Sequence, residues 1–78
     1  MPRLKCTFRE FIEIIEANGF EIVSGRTTGS HRQYKRTANE GETRLVTVAY
    51  HNINDDVLPG TLSSMIRQSG LPKRLFRK

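Results

Sequence analysis

The side chains best suited to chemistry are two histidines, His31 and His51, and the first has the more informative setting. It stands in Gly29-Ser30-His31-Arg32-Gln33-Tyr34. A glycine permits a turn, a hydroxyl follows, and then comes the side chain that exchanges protons most readily near neutral pH. Arg26, Arg32, Lys35 and Arg36 flank it. A polyphosphate drawn to this basic stretch would meet a proton-transfer group. RNA hydrolysis asks for little more. The 2′-hydroxyl is an internal nucleophile, so a base, an acid and positive charge for the phosphate suffice, and no metal is required. The same residues also fit a surface histidine in a basic strand, and spacing alone leaves both readings open.

His51 is a possible second acid/base group or a solvated loop histidine. Ser30 could bond a phosphate, orient His31 or cap the turn. If His31 opens a strand, Lys35 shares its face and is the better phosphate ligand, whereas Arg32 points to the opposite face. Asp55-Asp56 reads as a pair of soluble turn residues rather than a metal site. Cys6 is the only cysteine, so neither an internal disulfide nor a zinc site can form. It reads as inert, and a reducing cytoplasm is the expected location. No metal and no cofactor are expected.

The elements that must position these groups are legible. Thr7 and Glu10 form a capping-box pattern. Phe8, Phe11, Ile12 and Ile15 then repeat with helical spacing, and Asn18-Gly19 supplies a stop. Three strands are expected after this helix, at 20–26, 31–37 and 43–50, with turns at 25–29 and 39–42. Short loops favour an antiparallel meander. Alternation along the third strand sets Val46, Val48 and Tyr50 towards the helices and Leu45, Thr47 and Ala49 away. If Tyr34 packs inward, His31, Gln33 and Lys35 face the open side. A second helix opens near Pro59-Gly60-Thr61, carries Leu62, Met65 and Ile66 as its apolar stripe, and stops at Gly70. Two amphipathic helices on one face of a three-stranded sheet would give an α+β fold in the order α-β-β-β-α.

Seventy-eight residues suit a single domain spanning 1–78 with a thin core, closing in a basic tail at about 72–78. No apolar run approaches the roughly 20 residues that a bilayer-spanning helix needs, so no membrane role is expected. The net charge is +5. It is concentrated in two acid-free blocks, one around His31 and one from Arg67 onward, which suggests a polyanionic partner.

Taken together, Asn18-Gly19-Phe20, Gly29-Ser30-His31-Arg32-Gln33-Tyr34, Val46-Thr47-Val48-Ala49-Tyr50-His51 and Pro59-Gly60-Thr61-Leu62 through Ser69-Gly70-Leu71 carry a resemblance. The chain resembles the HicA (YcfA-like) toxins of toxin–antitoxin pairs, over roughly Phe8 to Phe76. The resemblance implies a fold like the double-stranded RNA-binding domain. It also implies an mRNA interferase: a metal-independent endoribonuclease that cuts messenger RNA and inhibits translation, with its catalytic histidine at His31. The partners it implies are mRNA and a HicB antitoxin that covers the active site. Ser30, Lys35, Arg26 and Arg36 are the expected RNA-binding residues. Two positions depart from the family's usual pattern: Ala49-Tyr50 stands before His51 where a proline is common, and Pro59 stands where many members have lysine before Gly-Thr-Leu. A non-catalytic RNA-binding module is the alternative reading. A regulatory subunit whose basic surface binds an acidic protein is the third.

Overall fold

The computed structural model describes residues 6–23, 31–37, 41 and 43–76. Its elements are α1 (Phe8–Ala17), β1 (Glu21–Ile22), β2 (His31–Thr37), β3 (Thr43–Ala49), α2 (Pro59–Ser69) and a 3-10 turn, Lys73–Phe76. The strands form one antiparallel meander in the order β1-β2-β3. This is the expected α-β-β-β-α order of the double-stranded RNA-binding domain.

α1 begins where the capping residues say it should. The Thr7 hydroxyl accepts from the Glu10 amide at 3.2 Å, and the Glu10 carboxylate accepts from the Thr7 amide at 3.0 Å. At the other end the Asn18 side chain donates to the Ile14 carbonyl at 2.8 Å. Gly19, at φ +95°, then turns the chain into Phe20. Phe11, Ile12 and Ile15 are buried, with Phe8 packed partly against them.

The β2–β3 ladder runs in unbroken register from His31↔Ala49 to Thr37↔Thr43. Tyr34, Val46 and Val48 are buried on one face, while His31, Lys35, Leu45, Thr47 and Ala49 are exposed on the other. The helices therefore cover one side of the sheet and leave the second open. β1 is shorter than the expected 20–26, and residues 24–26 lie outside the described set. Its pairing continues one step further, as the Val23 amide donates to the Gln33 carbonyl at 2.9 Å. Ile22 pairs with Tyr34 and so shares the covered face, yet it is 48% exposed because it sits on the edge strand, where the cover ends.

α2 starts with Pro59, whose missing N–H would have no helical partner there, and ends at Gly70 with φ +70°. It lies against β3 and buries Leu62, Met65, Ile66 and Ser69. Its Gln68 side-chain oxygen accepts from the Thr47 amide at 3.3 Å, which occupies an outward-facing donor on the β3 edge. The Ser69 hydroxyl is also satisfied. It donates to the Ile66 carbonyl at 2.6 Å and accepts from the Leu71 amide at 3.1 Å.

The segment that reads as a basic tail is rooted in the core. Phe76 is 1% exposed, and its ring stacks on Phe11 with centroids 5.2 Å apart. Cys6 belongs to the same cluster, with its Sγ 3.5 Å from the Phe76 carbonyl. The first and last described segments thus close over each other.

Two stability predictions follow from this packing. Phe76→Ala is expected to cost about 3–5 kcal/mol, a large share of the roughly 4–12 kcal/mol available to a chain this long. Urea unfolding measures it, and an unchanged midpoint would show the ring to be dispensable. Tyr34 is buried, and burial, with smaller contributions from Glu16 and Tyr50 against an opposing one from Arg32, holds its phenol above the usual value of 10.0. Unfolded chains ionise that phenol first, so stability is full below pH 10 and falls as pH rises towards the folded-state value. Tyr34→Phe should remove this part of the alkaline destabilisation, seen as a flatter dependence of the urea midpoint on pH above 10.

Candidate active site

His31 is the first residue of β2, so its imidazole is exposed at one end of the sheet on the face that the helices leave open. Alternation adds Gln33 and Lys35 to this face. The ladder sets Ala49, Thr47 and Leu45 directly opposite those three. Ala49 is small, so nothing bulky on β3 crowds the imidazole. From β1 comes Glu21, opposite Lys35, and from just past its end Val23, whose amide is bonded to the Gln33 backbone.

His51 follows Ala49 by two residues and is exposed in the bend after β3, at the same end of the sheet as His31. The loop carrying it is held firmly. The amides of Phe8 and Arg9, which have no partner within α1, donate to the carbonyls of Asp55 at 3.0 Å and Ile53 at 2.8 Å. The Arg9 Nε donates to the Asn54 side-chain oxygen at 3.0 Å. The Val57 amide donates to the Cys6 carbonyl at 2.9 Å. Beside His51, the Tyr50 ring lies 5.4 Å from Phe8, and the Arg32 guanidinium stands 4.9 Å over its face. Arg32 therefore works on the covered side, as alternation predicts. Among the described residues no three His, Cys, Asp or Glu side chains cluster as metal ligands would.

The expected site residues do not all converge. Lys35 shares the face of His31 but lies four residues along the strand, roughly 13 Å away. Arg36 points to the covered side, and its Cδ lies 3.7 Å from where a Cβ would stand on Gly19. The structure therefore does not bring Arg36 to His31; counting charges along the chain had grouped two residues that the pleat separates. Ser30 and Arg26 lie outside the described residues.

Two features of this face have no counterpart among the expected site residues. The side-chain oxygen of Gln33 is buried and has no hydrogen-bond partner. Beside it, Val23, Lys35, Thr43 and Leu45 line a hollow of about 250 Å³. Alternation alone puts Gln33 on the face of His31, but an unpartnered oxygen and a hollow shared by three strands appear only in three dimensions.

The ring contacts around Tyr50 predict a local effect. Tyr50→Leu should cost about 1–2 kcal/mol through lost aromatic and cation–π contacts. Amide hydrogen exchange should quicken over residues 50–54 and stay slow at Tyr34 and Val46; uniform protection would show that the rings do not hold the loop.

A family model described as the HicA toxin of bacterial toxin-antitoxin systems matches residues 8–71, from the first turn of α1 to the residue after the α2 cap. No curated protein and no solved structure gives a significant match.

Proposed function

The chain belongs to the HicA toxin family, and from that membership together with the exposed His31 on the open sheet face we propose that it is a metal-independent endoribonuclease that cuts messenger RNA and so inhibits translation. The observation that carries the reading is a proton-exchanging side chain on an uncovered face, with a second histidine at the same end of the sheet and Lys35 further along.

The chemistry follows from what RNA brings. His31 takes the proton of a 2′-hydroxyl. The freed oxygen attacks the adjacent phosphorus, and the bond from phosphorus to the 5′-oxygen breaks. A second group returns a proton to that leaving oxygen, and His51 is our candidate for it. The products are a 2′,3′-cyclic phosphate and a 5′-hydroxyl. Lys35 supplies positive charge to the backbone of the bound strand, with Ser30 and Arg26 as further ligands. Arg36 drops out of this set, since its side chain is directed to Gly19.

A site on a flat, open face is easily blocked. We therefore read the antitoxin as a HicB-type protein that lies over the His31 face, and the compartment as the cytoplasm. No helix among the described residues is long and apolar enough to cross a membrane.

The test is direct. The purified chain should cut single-stranded RNA in EDTA. His31→Ala should fold normally and lose about 10²–10⁴-fold in rate, the range for a general acid–base group. An RNA carrying a 2′-deoxy sugar at the cut position should survive intact. If His31→Ala cuts as fast as the original, the assignment is wrong. If neither cuts but both bind RNA in a salt-sensitive way, the protein is a binding module.

A further inference from the structure

Among the described residues of the open face, Gln33 has a buried side-chain oxygen whose hydrogen bond is unmade. It stands between His31 and Lys35 on β2, about 7 Å along the strand from each. Its side-chain oxygen is shielded from water and accepts no hydrogen bond. Such an acceptor is costly to leave unmade. The neighbours on its own face, Thr47 opposite on β3 and Val23 just past the end of β1, do not supply a donor. The side chain is long, and rotation about its χ angles can carry the amide outward. A ligand offering a donor at that point would relieve the deficit.

The hollow beside Gln33 indicates what kind of ligand fits. Val23, directly across from Gln33, and Leu45, across from Lys35, give it an apolar lining. Lys35 adds a cation at its margin and Thr43 a hydroxyl. At about 250 Å³ it is small for a ligand pocket, which typically starts near 300 Å³. An apolar lining with an adjacent cation suits one flat base with its phosphate. A double helix would keep its bases stacked inside and could present none to it. A glutamine amide pairs an acceptor with a donor, and this matches the amino group and ring nitrogen on the edge of adenine.

We propose that Gln33 is a specificity-determining residue: it reads an adenine of single-stranded RNA seated in the Val23–Leu45 hollow, with Lys35 holding that nucleotide's phosphate and His31 cutting a neighbouring bond. The proposal rests on the ribonuclease reading for the cutting step only. Recognition by Gln33 and the hollow stands or falls separately. Glu21, which faces Lys35 across the ladder, limits how many phosphates this part of the face can hold. That favours one anchored nucleotide over a long electrostatic groove.

The experiment separates recognition from cleavage. In a His31→Ala background, binding of a fluorescent single-stranded RNA octamer containing adenosine is compared with the same octamer carrying inosine, which lacks the amino donor. The adenosine form should bind at least about fivefold more tightly, the low end for one bidentate base contact. Adding Gln33→Met should abolish that preference while raising the urea midpoint, because the unpaired buried oxygen is gone. Leu45→Ala, in the same background, should weaken both octamers. In the chain with His31 intact, Gln33→Met should redistribute cuts along a mixed-sequence RNA.

Equal binding of the adenosine and inosine octamers overturns the proposal. So does an unchanged preference or a lowered urea midpoint in Gln33→Met. If the intact chain fails to cut RNA but its His31→Ala form still prefers adenosine, the ribonuclease reading fails and the recognition role of Gln33 survives.

Discussion

The register of the β2–β3 ladder is the constraint from which the rest follows. Because successive side chains point to opposite faces, a slip of one residue exchanges the two faces of the slipped strand completely. In the observed register Tyr34, Val46 and Val48 go into the core, and His31, Gln33 and Lys35 go out. With the valines of β3 kept in the core, a one-residue slip of β2 would bury a lysine and a histidine under the helices and expose Tyr34. Burial of unpaired charge is too expensive for so small a core. Packing energy therefore fixes the position of His31 without any contact to His31 itself. The open face is the by-product of a correctly buried one.

The same alternation divides the positive charge between two uses. Lys35 faces the open side, but Arg36 and Arg44 are direct cross-strand partners on the covered side. Two like charges so close repel. Each, however, reaches the C-terminal end of a helix. Arg36 passes beside Gly19 at the end of α1, and the Arg44 Nε lies 2.7 Å from where a Cβ would stand on Gly70 at the end of α2. The negative end of a helix dipole stabilises a cation there by about 0.3–1 kcal/mol. Part of the chain's basicity thus serves the fold, and net charge overstates what is available to a polyanion. Gly70 is glycine for its left-handed backbone; the Arg44 guanidinium that a side chain would meet is the far end of a flexible chain and could move aside.

What the sequence reveals depends on whether a signal is local. The α1 cap is a reciprocal pair three residues apart, and the β3 pattern repeats every second residue, so both are legible without a structure. The face of His31 follows from alternation once Tyr34 is taken as buried. Phe76 is different. It is a single aromatic in a charged segment, its partner Phe11 lies far away in the chain, and no periodicity announces the contact. Cys6 reads as an inert residue before a helix because its role is to fill the space between Phe76 and the core. The unpartnered oxygen of Gln33 is the most hidden feature, because it is defined by what its neighbours on three strands fail to offer.

A domain with this little core has few ways to hold an exposed side chain in place, and the loop at residues 51–57 shows how it orders its backbone. The free amides of the first turn of α1 need acceptors, and the loop supplies them through the carbonyls of Ile53 and Asp55. The loop in turn needs an anchor at its start, and Tyr50 provides it by lying between Phe8 and Arg32. Arg32 is the residue after His31, and Tyr50 is the residue before His51. Each histidine is therefore exposed while its immediate chain neighbour is packed on the covered side. Backbone order is set from behind the sheet, and the imidazoles remain exposed. Rigidity and access, which compete in a deep pocket, are assigned here to adjacent residues of the chain.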